Sequence, residues 1–142
     1  MEINYVNEIE SILGEINRKL NTELKKEMVR MDFSLSHFYI LSSLFKNGVM
    51  KAGDIAREID VTNATLTFLL DKLEGEGLIK RVKDTEDRRV TLVEITGKGR
   101  EVYSSLIALR RERMRELLEN IPEEDIKNIY HFLLRIKAVL WK

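Results

Sequence analysis

The chain has 142 residues, 44% hydrophobic and 34% charged, with 24 Lys and Arg against 24 Asp and Glu, one proline and no cysteine. It is too apolar for intrinsic disorder, and runs such as Phe68-Leu69-Leu70 fall far short of the ~20 residues of a membrane span. Without cysteine there is no disulfide framework, thiolate metal site or thiol-based redox sensor. The start Met1-Glu2-Ile3-Asn4-Tyr5 lacks the basic and apolar stretches of a secretory signal, so one cytoplasmic domain with no membrane association is expected.

Net zero charge speaks mildly against a nucleic-acid binder, but the distribution is uneven. Residues 1–29 carry six acids against four bases, whereas residues 78–90 carry five bases against three acids. A nucleic-acid face, if present, is local to the second stretch.

Ile3, Val6, Ile9, Leu13, Ile16, Leu20 and Leu24 recur every three or four residues, which predicts one long amphipathic helix reaching about Glu27. A second helix is expected from Ser34 as cap to Lys46, with Leu35, Phe38, Tyr39, Leu41, Leu44 and Phe45 inward and Asn47-Gly48 as its stop. Lys51 to Ile59 reads as a short helix, Asp60-Val61 as a tight turn, and Thr62 as the cap of a helix with Leu66, Leu69, Leu70 and Leu73 inward. Two short helices around such a turn have the pattern of a helix-turn-helix.

The period then changes. Leu78 to Val82 and Val90 to Ile95 read as strands around the polar tip 83–89, a charged hairpin. A helix-turn-helix followed at once by such a hairpin is a winged helix, a far more specific pattern than either part. Thr96 caps a helix to about Glu119, and Pro122 with Glu123-Glu124-Asp125 opens a last one. The expected fold is mainly α with a small β-hairpin wing (α+β): a winged lobe over 34–100, flanked by long dimerisation helices over 1–29 and 101–142. Those helices have too little on one chain to cover them. A homodimer is expected through Ile3, Val6, Ile9, Leu13, Leu117, Leu118, Ile129, Tyr130, Leu133, Ile136 and Leu140.

Three blocks, Leu70-Asp71-Lys72-Leu73-Glu74-Gly75-Glu76-Gly77-Leu78-Ile79, Asp84-Thr85-Glu86-Asp87-Arg88-Arg89 and Leu92-Val93-Glu94-Ile95-Thr96-Gly97-Lys98-Gly99-Arg100, stand in the order and spacing of the MarR family of transcription regulators, which the chain resembles along essentially its whole length. The resemblance implies a homodimer on a pseudo-palindromic double-stranded DNA site, with repression as the default. Its recognition helix is Thr62 to about Gly75, offering Thr62, Asn63, Ala64, Thr65 and Thr67 to a major groove, where asparagine pairs with adenine and methyl groups meet thymine. Ser36, at the start of the second helix, belongs to the same DNA face. Phe68 departs from the family's pattern, in which a polar or basic side chain is usual. Its ring either meets bases apolarly or packs back onto a neighbour, and packing is the expectation.

Lys72, Arg81 and Lys83 are expected to meet phosphates. The family's Asp-x-Arg pair maps onto Asp87 and Arg89, with Arg88 between: the arginine enters a minor groove and the aspartate fixes its direction. The basic cluster 110–115 reads as a solvated or interface face. The family's response to small aromatic or phenolic acids implies a crevice, for which Arg18, Met28, Met31, His37, Phe38 and Tyr39 are candidate lining residues.

Against catalysis stand the absence of a Gly-rich phosphate loop, a nucleophile elbow and a cysteine, so no enzyme and no cofactor are expected. His37 and His131 stand far apart and no His-x₃-His pair occurs, so no metal site is assigned, although a metal-responsive regulator stays an alternative. The other alternative is a winged helix that binds protein without an operator.

Overall fold

A computed structural model describes residues 2–140. It begins with α1 (Tyr5–Leu20), capped by Asn4 Oδ1, which accepts from the Asn7 N–H at 3.2 Å. Next comes α2 (Thr22–Arg30). The single helix expected to about Glu27 is thus two, parted at Asn21 (φ −90°, ψ 0°). At the break Thr22 Oγ1 competes for the backbone, donating to Arg18 O at 3.1 Å, while Asn21 Nδ2 donates to the side-chain Oδ1 of Asn17 at 3.2 Å. Because Lys25 N–H still bonds Asn21 O at 2.8 Å, the apolar period runs through the break undisturbed.

Asp32 closes α2 in the left-handed region (φ 56°), with Asp32 N–H bonded to Val29 O and Phe33 N–H to Met28 O. The same C-terminal motif recurs at Asp60 (φ 57°) and Gly77 (φ 76°). At Asp60 it turns α4 (Ala52–Glu58) into α5 (Asn63–Gly75), the corner of the helix-turn-helix. Thr62 Oγ1 accepts from Thr65 N–H at 3.1 Å as the cap of α5.

Before that corner lies α3 (Leu35–Asn47). Its buried face is Phe38, Ile40, Leu41 and Leu44, while Tyr39 and Phe45, expected inward, are partly exposed. Then come β1 (Met50–Lys51), β2 (Ile79–Lys83) and β3 (Thr91–Ile95) in the antiparallel order β1-β3-β2, with Met50 opposite Val93 and Ile79 opposite Ile95. The expected hairpin is therefore two strands of a three-stranded sheet. Two residues are too few to show the alternation that betrays a strand.

Thr96 joins the wing to α6 (Gly97–Leu118): its Oγ1 donates to Gly77 O at 2.6 Å and accepts from Gly99 N–H at 3.0 Å. Here the helix start meets the chain so closely that a Cβ at Gly99 would lie 2.1 Å from Leu78 O. The core joins Leu24 and Met28 of α2, Phe38, Leu41 and Leu44 of α3, Ile55 of α4, Leu66, Leu70 and Leu73 of α5, Val93 of β3, and Tyr103 and Leu106 of α6. Outside it stands α7 (Glu123–Leu140), which buries no residue. No helix among the described residues is long and apolar enough to cross a membrane.

Candidate nucleic-acid interface

α5 is the candidate recognition helix. Leu66, Leu69, Leu70 and Leu73 hold it on the core, which leaves Thr62, Asn63, Ala64, Thr65, Thr67 and Phe68 facing solvent. Phe68 is 74% exposed, so it does not pack back onto a neighbouring element. The two hydroxyls nearest the cap are engaged with each other, Thr62 Oγ1 donating to Thr65 Oγ1 at 3.0 Å, and Thr67 Oγ1 donates to Asn63 O at 2.9 Å. Ser36 sits half-buried in the first turn of α3.

At the wing tip the paired residues meet as the resemblance implied. Asp87 Oδ1 accepts from both the backbone N–H and Nε of Arg89, at 3.0 and 3.1 Å, and Oδ2 accepts from Nη2 at 3.2 Å. This two-point grip aims a side chain that is otherwise 91% exposed. It also holds the Asp87 carboxyl below its ordinary pKa, through the Arg89 side chain first, then its backbone N–H, with the charge of Lys51 adding to both. Arg88 is exposed beside the pair, and Lys83 Nζ donates to Thr91 Oγ1 across the hairpin at 3.0 Å.

Two expected phosphate contacts are engaged elsewhere. Arg81 Nη2 donates to Asp71 Oδ1 at 2.6 Å and Glu74 Oε1 at 3.1 Å, and its backbone N–H donates to Glu74 Oε2 at 2.8 Å. It straps β2 to α5; its side-chain hydrogen bond holds the Glu74 carboxyl below its ordinary pKa and raises that of the guanidinium. Lys72 Nζ lies 3.4 Å from Asp32 Oδ2, 3.8 Å from Glu76 Oε1 and 5.4 Å from the Phe33 ring centre, so it ties α5 to the α2–α3 corner. In sequence both residues look like free cations; their partners come from the fold.

Between α5 and the wing runs a concavity of about 510 Å³, bordered by Lys51, Arg57, Asn63, Thr67 and Arg89. Lys51 and Arg57 are basic residues of this face that the sequence analysis missed. Lys51 arrives through the unforeseen strand β1, and Arg57 is bonded to Asp54 along α4. Lone bases in short elements carry no signal of their own.

The six candidate effector residues do not share one crevice. Met28 and Phe38 are closed into the core, Arg18 and Tyr39 are exposed, and Met31 borders an open cleft with Glu27, Val102 and Leu109. His37 is 5% exposed: Nδ1 accepts from Ser34 N–H at 2.9 Å, its ring stacks on Phe33 with centroids 5.2 Å apart, and buried Nε2 has no partner. Burial first, then the charge of Lys72, lowers its pKa against the opposing pull of Asp32. It is a neutral cap of α3, held in place by the core. A different cleft, of about 290 Å³ between α3 and α6, is lined by Phe45, Tyr103 and Ile107 with Lys46, Arg111 and Arg115. Two arginines of the 110–115 cluster thus border a cavity.

The residues assigned to a dimer interface are bare on the single chain. Ile3, Val6, Ile9, Leu13, Leu117, Ile129, Tyr130, Leu133, Ile136 and Leu140 are exposed, and Leu118 is half-buried.

The model of the MarR family matches residues 33–91, the segment from just before α3 to the first residue of β3. The HTH-type transcriptional repressor MdtR of Bacillus subtilis (strain 168) is 27% identical over 131 residues, 92% of this chain and 84% of the relative. A MarR family protein from Bacillus stearothermophilus superposes with a TM-score of 0.86 at 22% identity, over 100% of this chain and 99% of that one. The transcriptional regulator Tm0710 from Thermotoga maritima gives a TM-score of 0.72 at 28% identity, over 94% of each chain. With the helix-turn-helix corner, the gripped wing arginine and the three sequence blocks all in place, residues 33–91 carry a segment of the MarR family, and the chain is similar over most of its length to MarR-type transcriptional regulators.

Proposed function

We propose that the chain binds a pseudo-palindromic operator in double-stranded DNA as a homodimer and represses transcription by occupying a promoter. The observation that carries this reading is the concave face between α5 and the wing. Asn63 and Thr67 stand on one side, Arg89 held by Asp87 on the other, and Lys51 and Arg57 border it. A helix in the major groove, a wing arginine in the adjacent minor groove and lysines on phosphates match the three kinds of contact that position and specify a duplex. Dimerisation follows from the apolar faces of α1 and α7, which a second copy would cover and which would set two recognition helices about one DNA turn apart.

The test is binding to the DNA upstream of the gene across a salt series, beside a scrambled duplex. Tight binding to the promoter alone, with log affinity falling by roughly 0.9 per phosphate contact for each unit of log salt, supports the reading. Equal and weak binding to both duplexes overturns it and leaves the protein-interaction alternative. The metal-responsive alternative has no group of three His, Asp or Glu side chains to rest on among the described residues.

The α3–α6 cleft favours a second layer, relief by a small aromatic acid. Its rings and aliphatic carbons suit an aromatic body, and Lys46, Arg111 and Arg115 suit a carboxylate. Such a ligand would act by binding better to a dimer whose recognition helices are wrongly spaced. Salicylate as a probe should release promoter DNA from the wild-type chain and not from Arg111→Ala; release from both would discard this cleft.

A further inference from the structure

α5 meets its surroundings with an unusual edge. Its sequence, Asn63 to Gly75, holds one cation, Lys72, and that lysine is engaged by Asp32 and Glu76. The donor protons of Thr62 and Thr67 are taken up within the helix, by Thr65 Oγ1 and Asn63 O. Asp71 accepts from Arg81 at 2.6 Å, a guanidinium that it shares with Glu74. Ala64 and Phe68, one turn apart on the same face, have no polar side-chain atoms, and Phe68 is 74% exposed.

An edge of this kind cannot read guanine in the usual way, because no arginine or lysine stands free to bond O6 and N7 together. The apolar group that a base pair offers in the major groove is the 5-methyl of thymine. We propose that Phe68 is the specificity-determining residue of α5 and selects a thymine by packing its ring on that methyl group, with Ala64 extending the apolar surface. The inference rests on the operator-binding reading and adds the chemistry by which the helix discriminates. The preferred half-site is then read through methyl contacts under α5, with Asn63 free to pair with an adjacent adenine.

The experiment uses the full chain. Bound duplexes are first selected from a randomised pool, and each dT of the selected site is then replaced singly by dU, which lacks only the 5-methyl. One dT in each half-site should lose about fourfold in affinity as dU, the effect of one buried methyl group. In Phe68→Ala the same swap should change affinity by less than twofold, and Phe68→Leu should restore most of the sensitivity. Because Phe68 makes no core contact, matching melting curves will show that both variants are folded. Selection of a tight site without any dU-sensitive position, or with the same sensitivity in Phe68→Ala, overturns the inference and leaves operator binding intact. Failure to select any sequence removes operator binding and the inference together.

Discussion

The winged lobe and the terminal helices are built from the same apolar residue types at the same helical spacing, yet they end in opposite environments. Leu41, Leu44, Leu66 and Leu73 are buried in one core, whereas Leu13, Leu133 and Leu140 face outward from α1 and α7. The lobe core closes because five helices, α2 to α6, and the sheet converge on it. The terminal helices each carry a face with nothing on the same chain to meet it. Amphipathic spacing therefore reports that a face will be covered, and leaves open whether the cover is the same chain or another one.

The sharpest way to break that contrast is to charge α7. Leu133→Asp combined with Ile136→Asp should give a monomer by light scattering with its lobe still folded, and operator affinity should fall roughly 10²–10⁴-fold as two half-sites cease to be held together. A variant that remains dimeric would show that α7 is not the interface. The complementary cut is inside the lobe. Phe38→Ala should lower unfolding free energy by about 3–5 kcal/mol in urea melts, because its ring is buried among Tyr103 and the α3 leucines. A loss below about 1 kcal/mol would mean that the lobe core is looser than its packing indicates.

Smaller effects sharpen the comparison at the DNA face. Arg89→Ala should weaken operator binding by about 1–3 kcal/mol without changing the melt, since the side chain is 91% exposed and bonded to Asp87 two residues away. Unchanged affinity would remove the wing from the mechanism.

The mildest effect is a pH dependence confined to the lobe. His37 is held neutral with its pKa lowered, while the unfolded chain takes up a proton near the ordinary value of about 6.5. The unfolded state thus binds more protons as pH falls, so this contribution is complete above about 6.5 and is lost below it. Melts of the wild type should drop between pH 7.5 and 5.5 more steeply than those of His37→Gln; parallel curves would place the sensitivity elsewhere.

Much of this architecture was legible in the chain itself. Thr62 and Thr96 announce their helices because a hydroxyl before an apolar period has one favoured use, and both cap as expected. The Asp87–Arg89 grip was legible because its partners lie two residues apart. What escaped depended on distance or on brevity. Arg81 and Lys72 resemble solvated cations until the fold brings Asp71, Glu74 and Asp32 to them, the last from 40 residues away. β1 is too short to have a period, and the break at Asn21 leaves the period untouched. The effector set rests on a different ambiguity: inward-facing aromatic and methionine side chains line a core and a pocket with the same residue types, and Met28 and Phe38 lie in the core.

The 22 residues of α6 have a mechanical consequence. The helix starts at the wing, where Gly99 presses on the Leu78 carbonyl, and ends beside α7, so it is a lever about 33 Å long joining the DNA face to the bare apolar helices. A tilt of about 6° at one end displaces the other by roughly 3.4 Å, the rise of one base pair. In the proposed dimer, a slight change of angle where two copies meet would thereby become a one-step slip of register on the duplex.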